Sequence, residues 1–364
     1  MWGFFEAHAN EKCIECGKCR KICQKYQNIH GTRLLDAKMI PMQSGTYEHI
    51  MQCSSGGVAY EIGLYGIEHG YIVLGTIYNV SNNRAEMKLA YTREELDEFK
   101  GSKYVQSNSA RAICQLVSIA KQDPSKKFMV FALPCQIFGI RKLLNESGIR
   151  NEVLLIELFC HGVPSYVIWD KFLDEQGFTD NTGVCFRDPR YPWHVCKMRL
   201  TNGTREKVLK QEEVPFYQMY FDNVALNDSC YECELRMSQS VADLRVGDCW
   251  GKRYSENHDG VSVCAIFSES AYELLDKLVR ENRVVEFEEI SPQEVMQSQS
   301  SFFYEKYDKK KWIDAVEKGI PLQKIVAEYR KQASYKKRIK WTLKKIMSMF
   351  PDKAIVWIKK WLVQ

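Results

Sequence analysis

The sequence predicts a mixed α/β protein: a central mixed sheet with flanking helices, a short N-terminal cysteine segment and a C-terminal helical tail. Three observations carry that reading. Four cysteines crowd into "EKCIECGKCRKICQ" near the start, where regular apolar patterning is scarce. Two continuous apolar runs, "KKFMVFALP" and "EVLLIELF", flank the helical stretch "QIFGIRKLL", the pattern of parallel strands buried on both faces and joined by a right-handed crossover. The last 34 residues, from Lys331, hold ten Lys or Arg and one Asp, so a basic tail follows a mildly acidic body. The expected divisions are 1–36, 37–290 and 291–364.

The elements follow in order. Helical spacing covers Val58 to Glu68, Gly70 stops it, and "YIVLGTIY" reads as a strand. Ser107 or Ser109 caps a helix with Ile113, Leu116, Val117 and Ala120 on one face. The first apolar run ends abruptly at Pro134, and the second ends at Cys160. Beyond Gly183 the pattern turns strand-like, with "TNGT" marking a hairpin, and "ESAYELLDKLVREN" closes the region as a helix.

The chain has 364 residues, 45% hydrophobic and 27% charged, with net charge +5, an ordinary composition for a globular protein with a sizeable core. "MWGFFEAHANEKC" lacks the basic start and cleavage site of a secretory signal. No apolar run approaches the ~18 residues of a membrane span. The expected location is the cytoplasm. In a reducing compartment the 14 cysteines point to metal binding or catalysis, not to a disulfide frame. Lone ones such as Cys114 read as small buried apolar groups.

Cys13, Cys16, Cys19 and Cys23 follow the C-x2-C-x2-C-x3-C spacing of bacterial ferredoxins, whose thiolates hold an iron–sulfur cubane. The competing ligand is zinc, although structural zinc sites usually split their ligands into two pairs. The fourth cysteine of such a run can serve a second cluster, so Cys23 has two candidate sites. Gln24 stands where ferredoxins place a chain-bending proline. "DSCYECE" supplies the pair Cys230 and Cys233, too few alone for a four-coordinate site. Cys135 and Cys160 lie just past the two buried strands, where open α/β sheets collect their ligands, and neighbouring strands would bring those thiols together. "SSGG" opens a helix whose free N–H groups suit an anion, and "GSKY" adds a flexible turn carrying Lys103. Neither a GxGxxG fingerprint nor a P-loop occurs. His161 is a candidate proton donor beside Cys160, and Arg187 and Arg190 are candidate anion-binding cations; a structural histidine and structural ion pairs are the competing readings.

The ordered set "CIECGKCRKIC", "SSGG", "GSKYVQS", "LPCQIFGIRKLL", "ELFCHGVPS", "FRDPRYPW", "SCYECE" and "DLRVGDCWG" resembles the coenzyme F420 hydrogenase/dehydrogenase β-subunit family, over about Cys13 to Asn282. The resemblance implies a flavoprotein with FAD close to one or two [4Fe–4S] clusters. It implies a ferredoxin-like N-terminal segment and a flavin-binding domain after it. Ser55, Gly56, Gly57, Gly101, Ser102, Lys103 and Tyr104 would line the FAD site. Pro134, Cys135 and Gln136 would sit near the isoalloxazine, with Cys135, His161 and Lys103 as the catalytic candidates. Cys160, Cys230 and Cys233 would join the N-terminal cysteines as cluster ligands. The sequence departs from the family where Phe131-Ala132-Leu133 precedes Pro134 and where Cys249 stands in a usually aromatic place.

The expected function is electron passage between clusters, flavin and a substrate or coenzyme, with a protein or coenzyme partner. The alternatives are an electron-relay subunit without its own substrate and a zinc-stabilised scaffold. "SYKKRIKWTLKKIMSMF" spaces Ile339, Leu343, Ile346, Met347 and Phe350 along one helical face among lysines, and Trp357 and Trp361 follow. Such a helix suits peripheral membrane or partner contact, or packing on the protein's own body. No recognition module for nucleic acid accompanies the charge.

Overall fold

The computed structural model describes residues 2–299 and 308–351. Nine strands form the large sheet: β1 Lys38–Ser44, β2 Tyr71–Asn79, β3 Arg84–Ala90, β4 Ser107–Asn108, β5 Lys127–Ala132, β6 Val153–Leu158, β7 Leu244–Asp248, β8 Ser262–Ile266 and β9 Val284–Glu286. Their order is β9-β1-β8-β7-β6-β5-β2-β3-β4. The centre is parallel, with β2, β5, β6 and β7 side by side and Val130 opposite Leu155 in the β5–β6 register. Antiparallel β8, β1 and β9 complete one edge, and the β2–β3 hairpin with β4 the other.

The two apolar runs became β5 and β6 because both their faces are covered. Phe128 and Val130 pack with Leu116 of helix α3, Ala110–Gln122, and with Ile137, Ile140 and Leu144 of α4, Pro134–Glu146. Met129, on the opposite face, packs with Val58 and Ile62 of α2, Val58–Glu68, and with Leu275 of α6, Glu269–Arg280. Each side chain buried this way contributes about 1.5–3 kcal/mol. Two strands carry no clear sequence signal: β1 breaks its alternation at a proline and β9 spans only 3 residues; β3 alternates three charged residues with buried apolar ones.

A second core lies beside the sheet. Trp169 and Phe172 of α5, Tyr166–Gln176, meet Phe216 and Tyr217, and the hairpin Lys197–Asn202/Arg205–Lys210 adds Met198 and Leu200. Helices α7, Lys309–Glu317, and α8, Leu322–Lys331, close it with Trp312, Ile325 and Tyr329. The C-terminal region is thus core structure up to Lys331, with helix α9, Tyr335–Ser348, beyond it. The N-terminus joins the same body, since Ser165 Oγ donates to the Trp2 carbonyl (2.6 Å) and Tyr166 N–H to that of Gly3 (2.7 Å).

One buried ion pair ties the cysteine-bearing segments to the sheet. Arg245 of β7 and Glu157 of β6 face each other in register and neither is exposed at all. Arg245 Nε donates to Glu157 (2.6 Å), and its two Nη atoms donate to the carbonyls of Arg236 (2.9 Å), Leu235 (2.7 Å) and Gln239 (3.0 Å). These carbonyls belong to the turn after Cys233. Strand Gln239–Ser240 in turn pairs with Thr32–Arg33, directly behind the N-terminal cysteine run. Removing one member of such a pair leaves a buried charge unpaired, typically costing about 3–5 kcal/mol. Arg245→Leu is expected to lose stability on that order in urea denaturation; a loss below about 1 kcal/mol would show that the turn is held by something else.

Candidate functional site

The carboxyl ends of β5, β6 and β7 open on one large cavity of about 1250 Å³, bigger than the ~300–1,000 Å³ of an ordinary ligand pocket. Leu133, Phe159 and His161, just beyond β5 and β6, and Asp248, the last residue of β7, line it, the position at which open α/β sheets bind ligands. The two glycine-containing loops read from the sequence form one wall. Ser102 N–H donates to Ser54 Oγ (2.8 Å), so the "SSGG" and "GSKY" turns are fastened to each other. Ser55 Oγ donates to the Val261 carbonyl (3.0 Å), which fixes the first turn to the sheet edge. Gly57 precedes α2 in the left-handed region, and no side chain caps that helix, so its first turn presents backbone N–H groups towards the cavity.

Of the residues expected around a flavin, Ser55, Gly57, Gly101, Ser102, Lys103, Tyr104 and Gln136 line the cavity. Gly56 and Pro134 do not: Gly56 packs against β1 and β8, where a Cβ would lie 2.7 Å from Ser262 N, and Pro134 starts α4. Gln136 accepts from Leu133 N–H (3.1 Å) and donates to Ser107 Oγ (3.0 Å), holding the helix start against β4. Lys103 turns its amine to the carbonyls of Phe99 (2.7 Å) and Lys100 (2.9 Å). Burial pulls its pKa down to about 7. Tyr104 packs edge-on against Phe186, Tyr217 and Phe221, and burial pushes its hydroxyl up to about 12.

Four thiols gather at the same end of the sheet. Cys135 is the second residue of α4, Cys160 follows β6, and Cys230 and Cys233 bracket a tight turn. Burial raises the Cys160 thiol to about 12, with Cys230 and Cys233 adding to it. Burial likewise raises Cys230 to about 11, with Cys233 contributing. Cys135 keeps open surface on one side, yet the protein around it pushes its thiol well above the ordinary value, and Cys233, Cys160 and Cys230 push further. Gly162 permits this approach: its φ is +121°, and a Cβ there would lie 2.9 Å from Leu226 and 3.4 Å from Cys230 Cβ. Its N–H donates to Cys160 Sγ (3.3 Å). Cys135, expected near a flavin ring, is not part of the cavity lining, and Cys233, Cys160 and Cys230 lie near enough to act on its thiol; Cys160 alone of the four borders the cavity.

The N-terminal run lies beside this set. Cys13, Cys16 and Cys19 are exposed and Cys23 is half-buried. Glu15 (φ 51°) and Gly17 (φ 70°) adopt left-handed conformations that wind the loop. Helix α1, Lys18–Ile22, rests on α4, where a Cβ on Gly139 would lie 3.4 Å from the Ile22 carbonyl. Gln24 reaches across to Cys233 at 3.5 Å. Among the described residues no three Cys, His, Asp or Glu side chains converge to chelate a single ion. The donor set still fits a cluster, which takes its thiolates at four separated corners: the Gly162 N–H donates to Cys160 Sγ, the Gln24 carboxamide lies within hydrogen-bond reach of Cys233 Sγ, and Cys135 sits at the positive end of a 13-residue helix, where thiolates are favoured.

Other expectations change. His161 Nε2 meets the Tyr220 carbonyl (3.2 Å), and burial lowers its pKa to about 4. It is neutral at physiological pH and packs edge-on against Tyr220, so the expected proton donor reads as a structural ring. Arg190 is paired with Asp188 (2.6 Å) and Glu206 (3.1 Å). Arg187 meets Asp248 (2.9 Å) and lies 5.0 Å from the Trp250 ring centre. Burial opposes its charge, but Asp248 more than compensates and holds the guanidinium above its ordinary value. Trp193 stacks on Trp250 at 4.5 Å and donates to Asp248 (2.8 Å). Of this aromatic and ionic end of the cavity, sequence reasoning named Arg187 but missed Trp193 and the partners Asp248 and Trp250, which lie about 60 positions further on. Helix α9 closes the far side with Lys336, Ile339, Leu343 and Met347, so much of its apolar face meets the protein's own cavity. Ile346, Met349 and Phe350 are exposed, and Trp357 and Trp361 lie outside the described residues. Among those residues no helix is long and apolar enough to cross a membrane.

Lys103 gives the site a pH signature. In an unfolded chain a lysine stays protonated to about pH 10.4, whereas the folded value is about 7. Between those limits the unfolded state binds more protons, so this residue makes stability rise with pH. Lys103→Met is expected to flatten that rise relative to wild type in urea denaturation series from pH 7 to about 9.5. Parallel profiles would mean that the amine stays charged in the fold.

Residues 125–293 match the family model for the C-terminal region of the coenzyme F420 hydrogenase/dehydrogenase beta subunit. No curated protein sequence matches the chain. Among solved structures 13 chains match. One comes from the xenon-derivatised F420-reducing [NiFe] hydrogenase complex of Methanosarcina barkeri, at 15% identity and TM-score 0.51, with 84% of this chain and 97% of that chain covered. With 84% of this chain covered, the shared fold reaches beyond residues 125–293. The motifs from "LPCQIFGIRKLL" to "DLRVGDCWG" all lie within the matched residues, and residues 125–293 belong to the coenzyme F420 hydrogenase/dehydrogenase beta-subunit family.

Proposed function

We propose that the protein is an oxidoreductase that binds FAD in the large cavity and carries two [4Fe–4S] clusters. One would be held by Cys13, Cys16, Cys19 and Cys23, the other by Cys135, Cys160, Cys230 and Cys233. The observation that carries the reading is the gathering of four thiols against a cavity wall, joined to it through Cys160. FAD, when bound, takes electrons in pairs as hydride and exchanges them singly with clusters that carry one each.

The chain's own residues divide the remaining work. The first turn of α2 and the 101–104 loop offer backbone N–H groups to the flavin diphosphate. Tyr104 and the Trp193–Trp250 stack supply aromatic faces. Arg187, kept charged by Asp248, places a fixed positive charge at the cavity end, suited to an anionic ring or substrate. Lys103, through its carbonyl partners, shapes the loop instead of reaching for substrate. His161, being neutral, holds the Cys160 loop against Tyr220.

A relay role inside a larger assembly is the second reading. It is favoured by the exposure of Cys13, Cys16 and Cys19, which puts the first sulfur set where another protein can reach it. Coenzyme F420 is a candidate electron partner by family membership alone.

The test is anaerobic reconstitution of the full chain with iron, sulfide and FAD, followed by metal, sulfide and flavin analysis. Cys230→Ser and Cys16→Ser are each expected to lose about four irons per chain and to keep the flavin. Cys135→Ser should behave like Cys230→Ser. Full iron content in Cys135→Ser would return Cys135 to the flavin side, and a colourless wild type carrying zinc would overturn the whole reading.

A further inference from the structure

Gln24 occupies the position at which the ferredoxin run ordinarily turns away through a proline. Here its chain continues into a short turn, Gln24–Tyr26, and its side chain crosses 209 positions of sequence to reach Cys233. The amide nitrogen and oxygen are both 3.5 Å from Cys233 Sγ. A protonated thiol can donate to the amide oxygen. A thiolate has no proton, so only the amide N–H can complete the contact once Cys233 ligates. Gln24 is half-buried, and its peptide bond joins it to Cys23 of the first sulfur set. It is therefore covalently next to one set and hydrogen-bonded to the other.

We infer that Gln24 is a positioning and tuning residue for the buried cluster: its carboxamide N–H donates to the Cys233 sulfur and raises the potential of the cluster that this sulfur holds. This rests on the cluster assignment proposed above. The physical ground is that hydrogen bonds to cluster sulfurs withdraw charge and favour the reduced, more negative form. Proline at this position has no amide side chain to give, and its ring would redirect the chain after Cys23. The same contact links the two sulfur sets through the Cys23–Gln24 peptide bond and one hydrogen bond. The surface set is left without this donor, so the difference in potential between the two clusters is partly set by one side chain.

The experiment is an EPR-monitored redox titration of the reconstituted full chain, with iron content measured on the same samples. Gln24→Leu, which keeps bulk and removes the donor, is expected to move one of the two midpoint potentials to a more negative value while iron stays at the wild-type level. Gln24→Glu, an acceptor facing a thiolate, is expected to move the same potential further in that direction. Proton ENDOR of the reduced wild type should show an exchangeable coupling that Gln24→Leu lacks. Unchanged potentials with full iron in both variants would overturn the inference. Loss of iron in both would also overturn it, because Gln24 would then be needed to hold the cluster and not to tune it. Absence of any cluster in the wild type would instead sink the cofactor reading beneath it.

Discussion

The arrangement of sulfur in this protein depends on Arg245 and Glu157, two charges that the sheet removes from water entirely. Their attraction across neighbouring strands is offset by the desolvation of both, and an apolar pair of similar volume would hold β6 and β7 together at least as well. What an apolar pair would lack is direction. After meeting Glu157, the guanidinium still reaches three carbonyls of the 235–239 turn. Those carbonyls follow Cys233 by two to six residues. Gln239–Ser240 then carries the constraint to Thr32–Arg33, and so to the loop that ends in Cys23 and Gln24. A stability argument alone does not account for the pair; a positional one does.

Positions fixed in this way matter because thiolates are costly to bury. Cys160 and Cys230 are held well above their ordinary pKa values while they are free thiols. Four such groups ionised together without iron would repel one another in a poorly solvated space. The fold partly compensates for charge at these sulfurs. It supplies the start of α4 at Cys135, the Gly162 N–H at Cys160 and the Gln24 amide at Cys233. Arg236, nearby, lowers the cost of charge on Cys160 and Cys230. The exposed N-terminal set has water for the same task, which is why it can be built from one short loop without help from the sheet. The two sets thus differ in environment more than in ligand chemistry.

The sequence made the parallel centre of the fold legible, because β5 and β6 are long apolar runs with a clear helix between them. Strand β1 was not, because it gains its place from β8, more than 200 residues away, and such pairing leaves no periodic mark. The cysteines expected as ligands were legible as residue types, and the two strands that end before Cys135 and Cys160 are neighbours, as the topology predicts. The grouping of these two cysteines with Cys230 and Cys233 needed the Arg245 anchor, whose partner Glu157 looks in sequence like an error in an apolar strand. His161 shows the opposite failure: its chemistry was plain from the residue type, but burial and the Tyr220 carbonyl decide its state, and neither is visible in "FCHG".

Helix α9 shows how charge and shape act together at the cavity. Asp222 joins it to α8: the carboxylate accepts from Trp341 of α9 (3.0 Å) and from Tyr329 (2.8 Å) and Arg330 (2.8 Å) of α8. One group thus ties the two helices to each other. Ile339, Leu343 and Met347 of α9 line the cavity, with Lys336. Ile339 and Leu343 remain 42% and 50% exposed, more than a helix packed on a closed core would leave. An apolar wall open to that degree is unfavourable in water and is relieved when a flat ligand covers it. The basic helix that resembles a membrane anchor in sequence thus has much of its apolar side on the cavity. Among the described residues of this region, Ile346, Met349 and Phe350 are exposed and do not line it.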